Sequence, residues 1–230
     1  MKVFNTEFGN SLPIAFKATR TKPLQKSSRH RSVKGFHGLV KRCLDLSISS
    51  VALVLLSPLF ALIALLVWLT DGGAVLYRQT RVGLEGRRFT MIKFRTMREH
   101  AERDLGPVWS VPRDPRCTTP GYYLRRLGLD ELPQLWNVLR GEMTLVGPRP
   151  ERPEFIREFR KEYEGYELRQ AVHSGLTGYA QIHGWRGFTS LEERLRHDSY
   201  YVRNWSLRLD LYIILMTLVR GWSERTRIGV

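Results

Sequence analysis

An uncharged apolar run, interrupted once by proline, constrains the fold of this chain more than any other feature. Residues 46–69 are 24 consecutive residues without a charged side chain. An α-helix rises about 1.5 Å per residue, so this run can extend roughly 36 Å, which is enough to cross the hydrocarbon core of a bilayer. The run begins too late and is too long for a cleavable signal peptide. We therefore expect a permanent membrane segment.

Ser57-Pro58 lies near the middle of this run and leaves two interpretations open. Proline removes a helical hydrogen bond and clashes with the preceding turn, so the helix should kink or break there. A spanning helix tolerates such a kink, whereas a re-entrant helix enters and leaves the membrane on one side. Basic residues lie on both flanks, and the positive-inside rule assigns both flanks to the cytoplasm. The flanks, which contain Lys34, Lys41, Arg42, Arg78, Arg81, Arg87 and Arg88, therefore favour the re-entrant helix.

Positive charge is concentrated before the apolar run. The chain carries a formal charge of +15, and residues 1–42 hold ten Lys or Arg against one acid, Glu7, for a net of +9. Such an arm attracts nucleic acid, an anionic membrane surface or a phosphorylated substrate. Because the arm leads directly into the apolar run, membrane lipids are the most economical partner. We expect no nucleic-acid binding, since no recognised nucleic-acid motif occurs in the chain.

The remaining pattern predicts an α+β fold that is mostly helical. Two short strands separated by Gly83 and Gly86 predict a small β-hairpin, over residues 74–77 and 87–94. Helices are predicted over residues 95–104, 131–140, 151–169 and 191–205, and an amphipathic interfacial helix over residues 207–222. The predicted organisation is a basic disordered arm (1–35), a re-entrant membrane helix (36–70), a cytoplasmic catalytic domain (71–222) and a tail (223–230).

The two cysteines, Cys43 and Cys117, lie far apart in the sequence. We therefore expect no disulfide framework, and we expect the globular part to lie in a reducing compartment.

Adjacent carboxylates at Asp130 and Glu131 are the leading catalytic candidates. Neighbouring helical residues point about 100° apart, so the two side chains cannot perform one task on one face. One can act as a nucleophile while the other positions a group or moves a proton. The structural alternative is that Asp130 caps a helix and that both acids favour its first turn. Arg125 and Arg126 precede the pair, and their charge should keep Asp130 ionised.

Basic side chains elsewhere fit a site that handles a diphosphate and a phosphate. Arginine binds phosphate through two parallel hydrogen bonds. A carboxylate that attacks an anionic phosphorus also needs positive charge, which basic side chains and Mg²⁺ supply. Each residue alone is typical of a solvated surface charge, but together they indicate a phosphate site. The set consists of Lys93, Arg95, Arg126, Arg149 and Arg186.

From about Lys41 to Arg220 the sequence resembles the bacterial sugar transferase family, the monotopic polyprenyl-phosphate phosphoglycosyl transferases. Each matching motif is weak alone, but the ordered series is highly specific. The series comprises Lys41-Arg42 with Asp45, Ser57-Pro58, Lys93-Phe94-Arg95-Thr96-Met97, residues 129–139, residues 147–150, Gly175-Leu176-Thr177-Gly178, Gln181, Asn204-Trp205-Ser206 and Asp210.

The resemblance implies a catalytic dyad of Asp130 and Glu131. It implies that Asp130 attacks the β-phosphorus of a UDP-sugar, releases UMP and carries the sugar phosphate until undecaprenyl phosphate accepts it. Mg²⁺ is the implied cofactor, with Asp130 among its ligands. An acid of the family that precedes the last helix falls on Asp198. The expected substrate-binding residues are Lys41, Arg42, Lys93, Arg95, Arg126, Arg149, Arg186 and Asp198.

Gly184-Trp185-Arg186-Gly187 is similar to members that transfer glucose- or galactose-1-phosphate, although His183 and Phe188 depart from their pattern. The expected activity is therefore hexose-1-phosphate transfer, as the first membrane step of polysaccharide or glycoconjugate synthesis. We expect the bacterial inner membrane as the location, with the catalytic domain on its cytoplasmic face, and a homo-oligomer is compatible with the sequence. Two rival hypotheses are a non-catalytic membrane-bound scaffold with a degenerate transferase fold and a soluble nucleic-acid binder with an apolar core helix.

Overall fold

The computed structural model describes residues 35–101, 111, 113–187 and 189–220. Within these residues the chain is mostly helical, and its strands form two two-stranded sheets. This confirms the predicted α+β, mostly helical class. The predicted basic arm, apart from Gly35, and the predicted tail lie outside the described residues.

The apolar run forms two helices that meet at a sharp bend. Helix α1 spans Gly35–Leu55 and α2 spans Ser57–Asp71, with Leu56 between them and Pro58 in the first turn of α2. The predicted break is therefore confirmed. Among the described residues no single helix is long and apolar enough to cross a membrane, but α1 and α2 together pass that test of length and composition with a bend of 62°.

Both far ends of this bent pair contact the same domain. Near the start of α1, Lys41 Nζ donates to Asp210 Oδ2 at 2.7 Å, and Asp45 accepts a hydrogen bond of 2.6 Å from Thr144 Oγ1. At the end of α2, the guanidinium of Arg95 donates to the carbonyl oxygen of Gly72. Both ends of the pair are therefore attached to the same domain, with a bend of 62° between the two helices.

The predicted hairpin is confirmed, with a longer first strand than expected. Strand β1 spans Leu76–Val82 and pairs antiparallel with β2, which spans Arg88–Phe94. The predicted helix over residues 95–104 is wrong for the described residues 95–101, where Met97 instead forms a bridge with Cys117. Residues 95–98 contain no helical turn, and Thr96 is buried where the next helix approaches the chain closely.

The catalytic candidates lie between two helices that pack on the hairpin. Helix α3 spans Thr119–Leu127, a 3₁₀ turn spans Leu129–Glu131, and α4 spans Gln134–Arg140. Helix α3 was not predicted, because its start falls in a proline-rich stretch that reads as a loop. A Cβ atom at Gly121 of α3 would lie 2.0 Å from Thr96 O, so only glycine allows this close approach to the chain after β2.

A small parallel sheet and four further helices complete the domain. Strand β3 (Thr144–Val146) pairs in parallel with β4 (Gly175–Thr177). The prediction of one helix over residues 151–169 is only partly correct, because α5 ends at Glu162 and Gly165, with φ of 78°, precedes a separate 3₁₀ segment. These elements are α5 (Pro153–Glu162), the 3₁₀ segment Tyr166–Gln170, α6 (Tyr179–Ile182), α7 (Leu191–Asn204) and α8 (Leu207–Arg220).

The largest core cluster joins α4, the parallel sheet, α7 and α8. Its buried members include Val138, Val146, Tyr201 and Ile213, each at most 1% exposed. The other face of α8 exposes apolar side chains, among them Leu215 at 58%. Helices α1 and α2 likewise expose large apolar residues around their bend. These apolar surfaces are consistent with contact with a membrane.

Candidate active site

Asp130 and Glu131 have different surroundings although they are adjacent. Asp130 is 5% exposed, and within the described part of the chain no hydrogen bond or ion pair binds its carboxylate. Glu131 forms a two-pronged ion pair with Arg149, in which Nη1 donates to Oε2 at 3.1 Å and Nη2 donates to Oε1. The site therefore contains one carboxylate held in place and one available for a ligand.

Asp130 does not cap helix α4. The residue at the cap position is Pro133, and three residues separate Asp130 from the first residue of α4, Gln134. The structural alternative of a helix-capping Asp130 is therefore wrong. The 3₁₀ turn instead buries Asp130 while leaving Glu131 half-buried beside Arg149.

Three basic side chains dominate the positive potential at Asp130: those of Lys93, Arg125 and Arg149. Burial and the adjacent charge of Glu131 nevertheless raise the pKa of Asp130 above its ordinary value. At this carboxyl the desolvation that accompanies burial therefore outweighs the neighbouring cations in setting the direction of the pKa shift, and the expected ionised state of Asp130 stays a prediction.

Lys93 projects from the hairpin with its charge near the dyad. Its Nζ atom lies 5.3 Å from the ring centre of Tyr77 on the neighbouring strand. Burial and the positive charge of Arg125 lower the pKa of Lys93 to about 8. Lys93 and Arg149, both predicted as substrate-binding residues, are thus brought together with the dyad.

Arg125, rather than Arg126, acts on the site. Its Nε atom donates to Thr96 Oγ1 at 2.7 Å, and its charge influences both Asp130 and Lys93. Successive helical residues point about 100° apart, so Arg126 leaves α3 in another direction. The sequence named both residues but could not choose between them, because that choice depends on the face by which α3 packs on the hairpin.

Three other predicted substrate-binding residues form contacts that join α1 and α2 to the rest of the domain. Arg95 is buried and binds Gly72 at the end of α2. Lys41 is buried between Asp210 and the carbonyl of Val146, which accepts a hydrogen bond of 3.0 Å. Arg42 donates to two carbonyls in the last turn of α4, those of Val138 at 2.6 Å and Leu139 at 2.8 Å. The contacts of these side chains explain how α1 and α2 attach to the domain, and substrate binding by them stays a prediction.

The last two predicted residues are Asp198 and Arg186. Asp198 on α7 is 2% exposed and pairs with Arg169, whose Nη2 atom is 2.8 Å from Asp198 Oδ2. Arg186 is half-buried in the turn after α6, and its charge is not among those that most affect Asp130. Sequence reasoning missed Arg169, because its partners Arg149 and Asp198 are distant along the chain and leave no local pattern.

The donor set fits the kind of Mg²⁺ site that a substrate completes. Within the described residues there is no group of three or more His, Cys, Asp or Glu side chains placed to hold a metal. Proteins commonly hold Mg²⁺ through one or two carboxylates together with substrate phosphates and water. Asp130 can supply one such carboxylate, whereas Glu131 is already bound by Arg149. The predicted role of Asp130 as a metal ligand is compatible with this arrangement and stays a prediction.

Comparison with known families identifies the family of the chain. The sequence model for bacterial sugar transferases matches residues 36–224, which include α2, nearly all of α1 and the residues of the site. The chain belongs to the bacterial sugar transferase family. This confirms the resemblance drawn from the ordered motifs.

Curated relatives of this sugar transferase include enzymes and exopolysaccharide proteins. The UDP-glucose:undecaprenyl-phosphate glucose-1-phosphate transferase of Escherichia coli K12 is 42% identical over 197 residues, which are 84% of this chain and 42% of the relative. The exopolysaccharide production protein ExoY of Rhizobium meliloti is 42% identical over 205 residues, which are 81% of this chain and 87% of the relative. A UDP-N-acetylgalactosamine-undecaprenyl-phosphate N-acetylgalactosaminephosphotransferase of Aeromonas hydrophila is 38% identical over 194 residues, 82% of this chain and 46% of the relative. The chain thus spans about two fifths of the Escherichia coli relative and most of ExoY.

Proposed function

We propose that this chain transfers a sugar-1-phosphate from a UDP-sugar to undecaprenyl phosphate and releases UMP. The observation that carries the proposal is the difference between the surroundings of Asp130 and Glu131. Asp130 is a buried carboxylate that no described residue binds, whereas Glu131 is held by Arg149. The charges of Lys93 and Arg125 act on the same point. Such a group of cations around one available carboxylate suits attack on an anionic phosphorus.

The first half-reaction uses Asp130 as the nucleophile. A carboxylate oxygen of Asp130 forms a bond to the β-phosphorus of the UDP-sugar, while the bond from that phosphorus to the bridging oxygen breaks and UMP leaves. Lys93, Arg125 and Arg149 neutralise the charge on the phosphoryl oxygens and on the departing UMP. Mg²⁺ held by Asp130 and the substrate phosphates would add Lewis-acid stabilisation of that charge.

The second half-reaction returns Asp130 to its starting state. A phosphate oxygen of undecaprenyl phosphate attacks the same phosphorus, the aspartyl–phosphorus bond breaks, and the product is a sugar linked to the lipid by a diphosphate. Glu131 positions the reacting groups or accepts a proton when the attacking lipid phosphate carries one. Two displacements replace one difficult transfer, which is the general advantage of covalent catalysis.

Glucose is the first candidate for the transferred hexose. The names of several relatives, including those from Escherichia coli and Xanthomonas campestris, specify UDP-glucose and glucose-1-phosphate. The relative from Aeromonas hydrophila, at 38% identity, is instead named for the transfer of N-acetylgalactosamine phosphate. The sugar therefore has to be assigned by assay, with UDP-glucose, UDP-galactose and UDP-N-acetylgalactosamine compared directly.

The proposed location is the cytoplasmic face of the bacterial inner membrane, with α1 and α2 as a re-entrant anchor and α8 at the interface. Two observations support this topology. Both far ends of the α1–α2 pair contact the catalytic domain, and the residues around the bend expose large apolar side chains, such as Leu55 at 72%. Membrane lipids are thus proposed partners, and a homo-oligomer is compatible with the proposal.

The test measures UMP release by the full chain in detergent with Mg²⁺ and each of the three UDP-sugars, with and without undecaprenyl phosphate. The expected result is multiple turnovers with the lipid, and without it about one UMP per enzyme together with a hexose-phosphate adduct on the peptide that contains Asp130. UMP that appears only with the lipid, and no adduct, would instead favour direct transfer in a ternary complex. No UMP under any condition would favour the rival hypothesis of a non-catalytic scaffold.

A further inference from the structure

The backbone that carries Arg149 is bound on three consecutive residues. The carbonyl of Arg149 accepts a hydrogen bond of 2.8 Å from Arg169 Nη2. The next carbonyl, of Pro150, accepts one of 3.1 Å from Arg81 Nη1, and the carbonyl of Glu151 accepts one of 3.0 Å from the amide of Val82. The donors come from strand β1 and the 3₁₀ segment Tyr166–Gln170.

The preceding residues of this segment are fixed as well. The amide of Gly147 donates to Thr177 O, and the amide of Gly175 donates to Pro148 O, both at 2.9 Å. Two of the five residues from 147 to 151 are prolines, and their rings restrict φ to about −65°. The segment 147–151, which we call the arginine loop, is therefore held along its whole length although it contains no helix or strand of its own.

Arg169 is itself buried and fixed by side chains from two elements. It is 5% exposed, and its Nη1 atom donates to the hydroxyl of Tyr166 at 2.9 Å. Its Nη2 atom, which donates to Arg149 O, also lies 2.8 Å from Asp198 Oδ2 on α7. The contact with Asp198 is an ion pair, since Asp198 Oδ2 accepts no hydrogen bond from the described residues, whereas the Tyr166 hydroxyl and Arg149 O each accept one from the planar guanidinium.

We propose that Arg169 is a positioning residue of the active site and that Asp198 acts through it. In this view, which rests on the proposed function, Arg169 fixes the backbone of Arg149 so that the Arg149 guanidinium stays paired with Glu131 beside Asp130. Asp198 compensates the buried charge of Arg169 and so stabilises the guanidinium where its Nη2 atom reaches Arg149 O. Asp198 then serves the reaction without touching a substrate, which differs from its expected role in substrate binding.

The need for such a device follows from the geometry of Arg149. Its side chain is long and 29% exposed, and it reaches from the arginine loop across to Glu131 on another element. A shift of about 1 Å in a catalytic group can cost on the order of 100-fold in rate. Functional groups carried on loops keep such precision only when surrounding residues hold the loop.

The activity test is a double-mutant cycle between Arg169 and Arg149. Arg169→Gln should lower kcat/KM by on the order of 100-fold, and Asp198→Asn should act in the same direction with a smaller loss. In the Arg149→Gln background, Arg169→Gln should cause almost no further loss, because the group that it positions is already absent. A residue that only supports the fold would give losses that multiply.

The second readout is amide hydrogen exchange of residues 147–151 in the same variants, measured by mass spectrometry. Arg169→Gln should accelerate exchange in the arginine loop by on the order of tenfold, because local opening becomes easier. Tyr166→Phe is the matched control, since it removes a buried hydrogen bond from the same guanidinium but keeps the bond to Arg149 O. The control should leave both loop exchange and kcat/KM within about threefold of the starting protein, in keeping with the modest net contribution of a single hydrogen bond.

Each result has a definite consequence. Unchanged exchange in Arg169→Gln would overturn the positioning role, whatever the activity. Faster exchange with multiplying losses in the cycle would also overturn it, because Arg169 would then act independently of Arg149. If the unmodified chain releases no UMP with any UDP-sugar, the proposed function fails, while the exchange measurement still decides whether Arg169 holds the loop.

Discussion

At the scale of single residues, the chemistry of the site depends on the different environments of two adjacent carboxylates. Asp130 is buried with no described side chain bound to it, whereas Glu131 is paired with Arg149. Asparagine and glutamine keep the shape of these side chains but remove the charge and most of the nucleophilicity. Substitution therefore separates chemistry from packing.

Asp130→Asn should abolish UMP release and the hexose-phosphate adduct, because an amide does not form the phosphoryl ester. Glu131→Gln should also be severe, since it removes the partner of Arg149, yet it should still form a slow adduct. The double variant should be little worse than Asp130→Asn alone, because the two residues act as a unit. Turnover and intact-protein mass measured together check this. Substantial activity in Asp130→Asn would reduce Asp130 to a metal ligand or a structural residue.

Deprotonation of Lys93 should limit the activity of the site at alkaline pH. Burial and the charge of Arg125 lower its pKa to about 8, so the amine loses its proton and its positive charge as the pH rises through that value. The pH dependence of kcat/KM reports groups of the free enzyme, and kcat/KM for the UDP-sugar should therefore fall above about pH 8. Lys93→Arg should move this fall to higher pH, because arginine stays protonated. A fall at the same pH in Lys93→Arg would assign it to another group.

At the scale of elements, the dyad is placed by the attachment of α4 to the hairpin and to α1. Asn137 on α4 is fully buried, and its amide nitrogen donates to Thr90 O at 2.7 Å while its amide oxygen accepts from the amide of Ile92 at 3.1 Å. At the other end of α4, Arg42 binds the last carbonyls of the helix. Gly141 ends the helix in the left-handed conformation, with φ of 79°, as its sequence position predicts.

Asn137→Ala should destabilise the protein by about 3 kcal/mol, because it leaves buried strand groups without partners. Asn204→Ala is the matched control, since Asn204 is exposed and, among the described residues, its amide binds only the carbonyl of Tyr200. The control should change the free energy of unfolding by no more than about 0.5 kcal/mol. Urea unfolding in the same detergent measures both variants. Equal losses would show that Asn137 does not tie α4 to the hairpin.

At the scale of the whole molecule, the re-entrant topology predicts that both ends of the bent helix pair face the cytoplasm. Single cysteines at His37, Arg87 and Leu55, in a background with Cys43→Ser and Cys117→Ser, report the two flanks and the bend. A membrane-impermeant maleimide should label positions 37 and 87 in inside-out vesicles but not in intact spheroplasts. Position 55, which is 72% exposed in the protein alone, should be shielded by lipid. Labelling of positions 37 and 87 from opposite sides would restore a spanning helix.

Patterns that depend on neighbouring residues were predictable from the sequence. The break at Ser57-Pro58 follows from the proline ring, the hairpin from alternating strands around Gly83 and Gly86, and the end of α4 from Gly141. The dyad itself was predictable, because two adjacent acids followed by a helix form a local signal and fall within an ordered series of family motifs. By contrast, the helix predicted over residues 95–104 was wrong for the described residues 95–101, where the chain lies close to Gly121 of α3, a contact that no local pattern encodes.

The sequence by itself determined the family, the apolar segment with its break, and the identity of Asp130, Glu131, Lys93 and Arg149 as site candidates, because each depends on residue type and local spacing. Only the tertiary structure decided which partner each charge takes. Arg169 meets Arg149 and Asp198 across 20 and 29 positions, and Lys41 meets Asp210 across 169. Such pairs form because burying a charge is costly unless an opposite charge or a polar group meets it. Which groups meet depends on how the helices pack, and no local pattern in the chain encodes that.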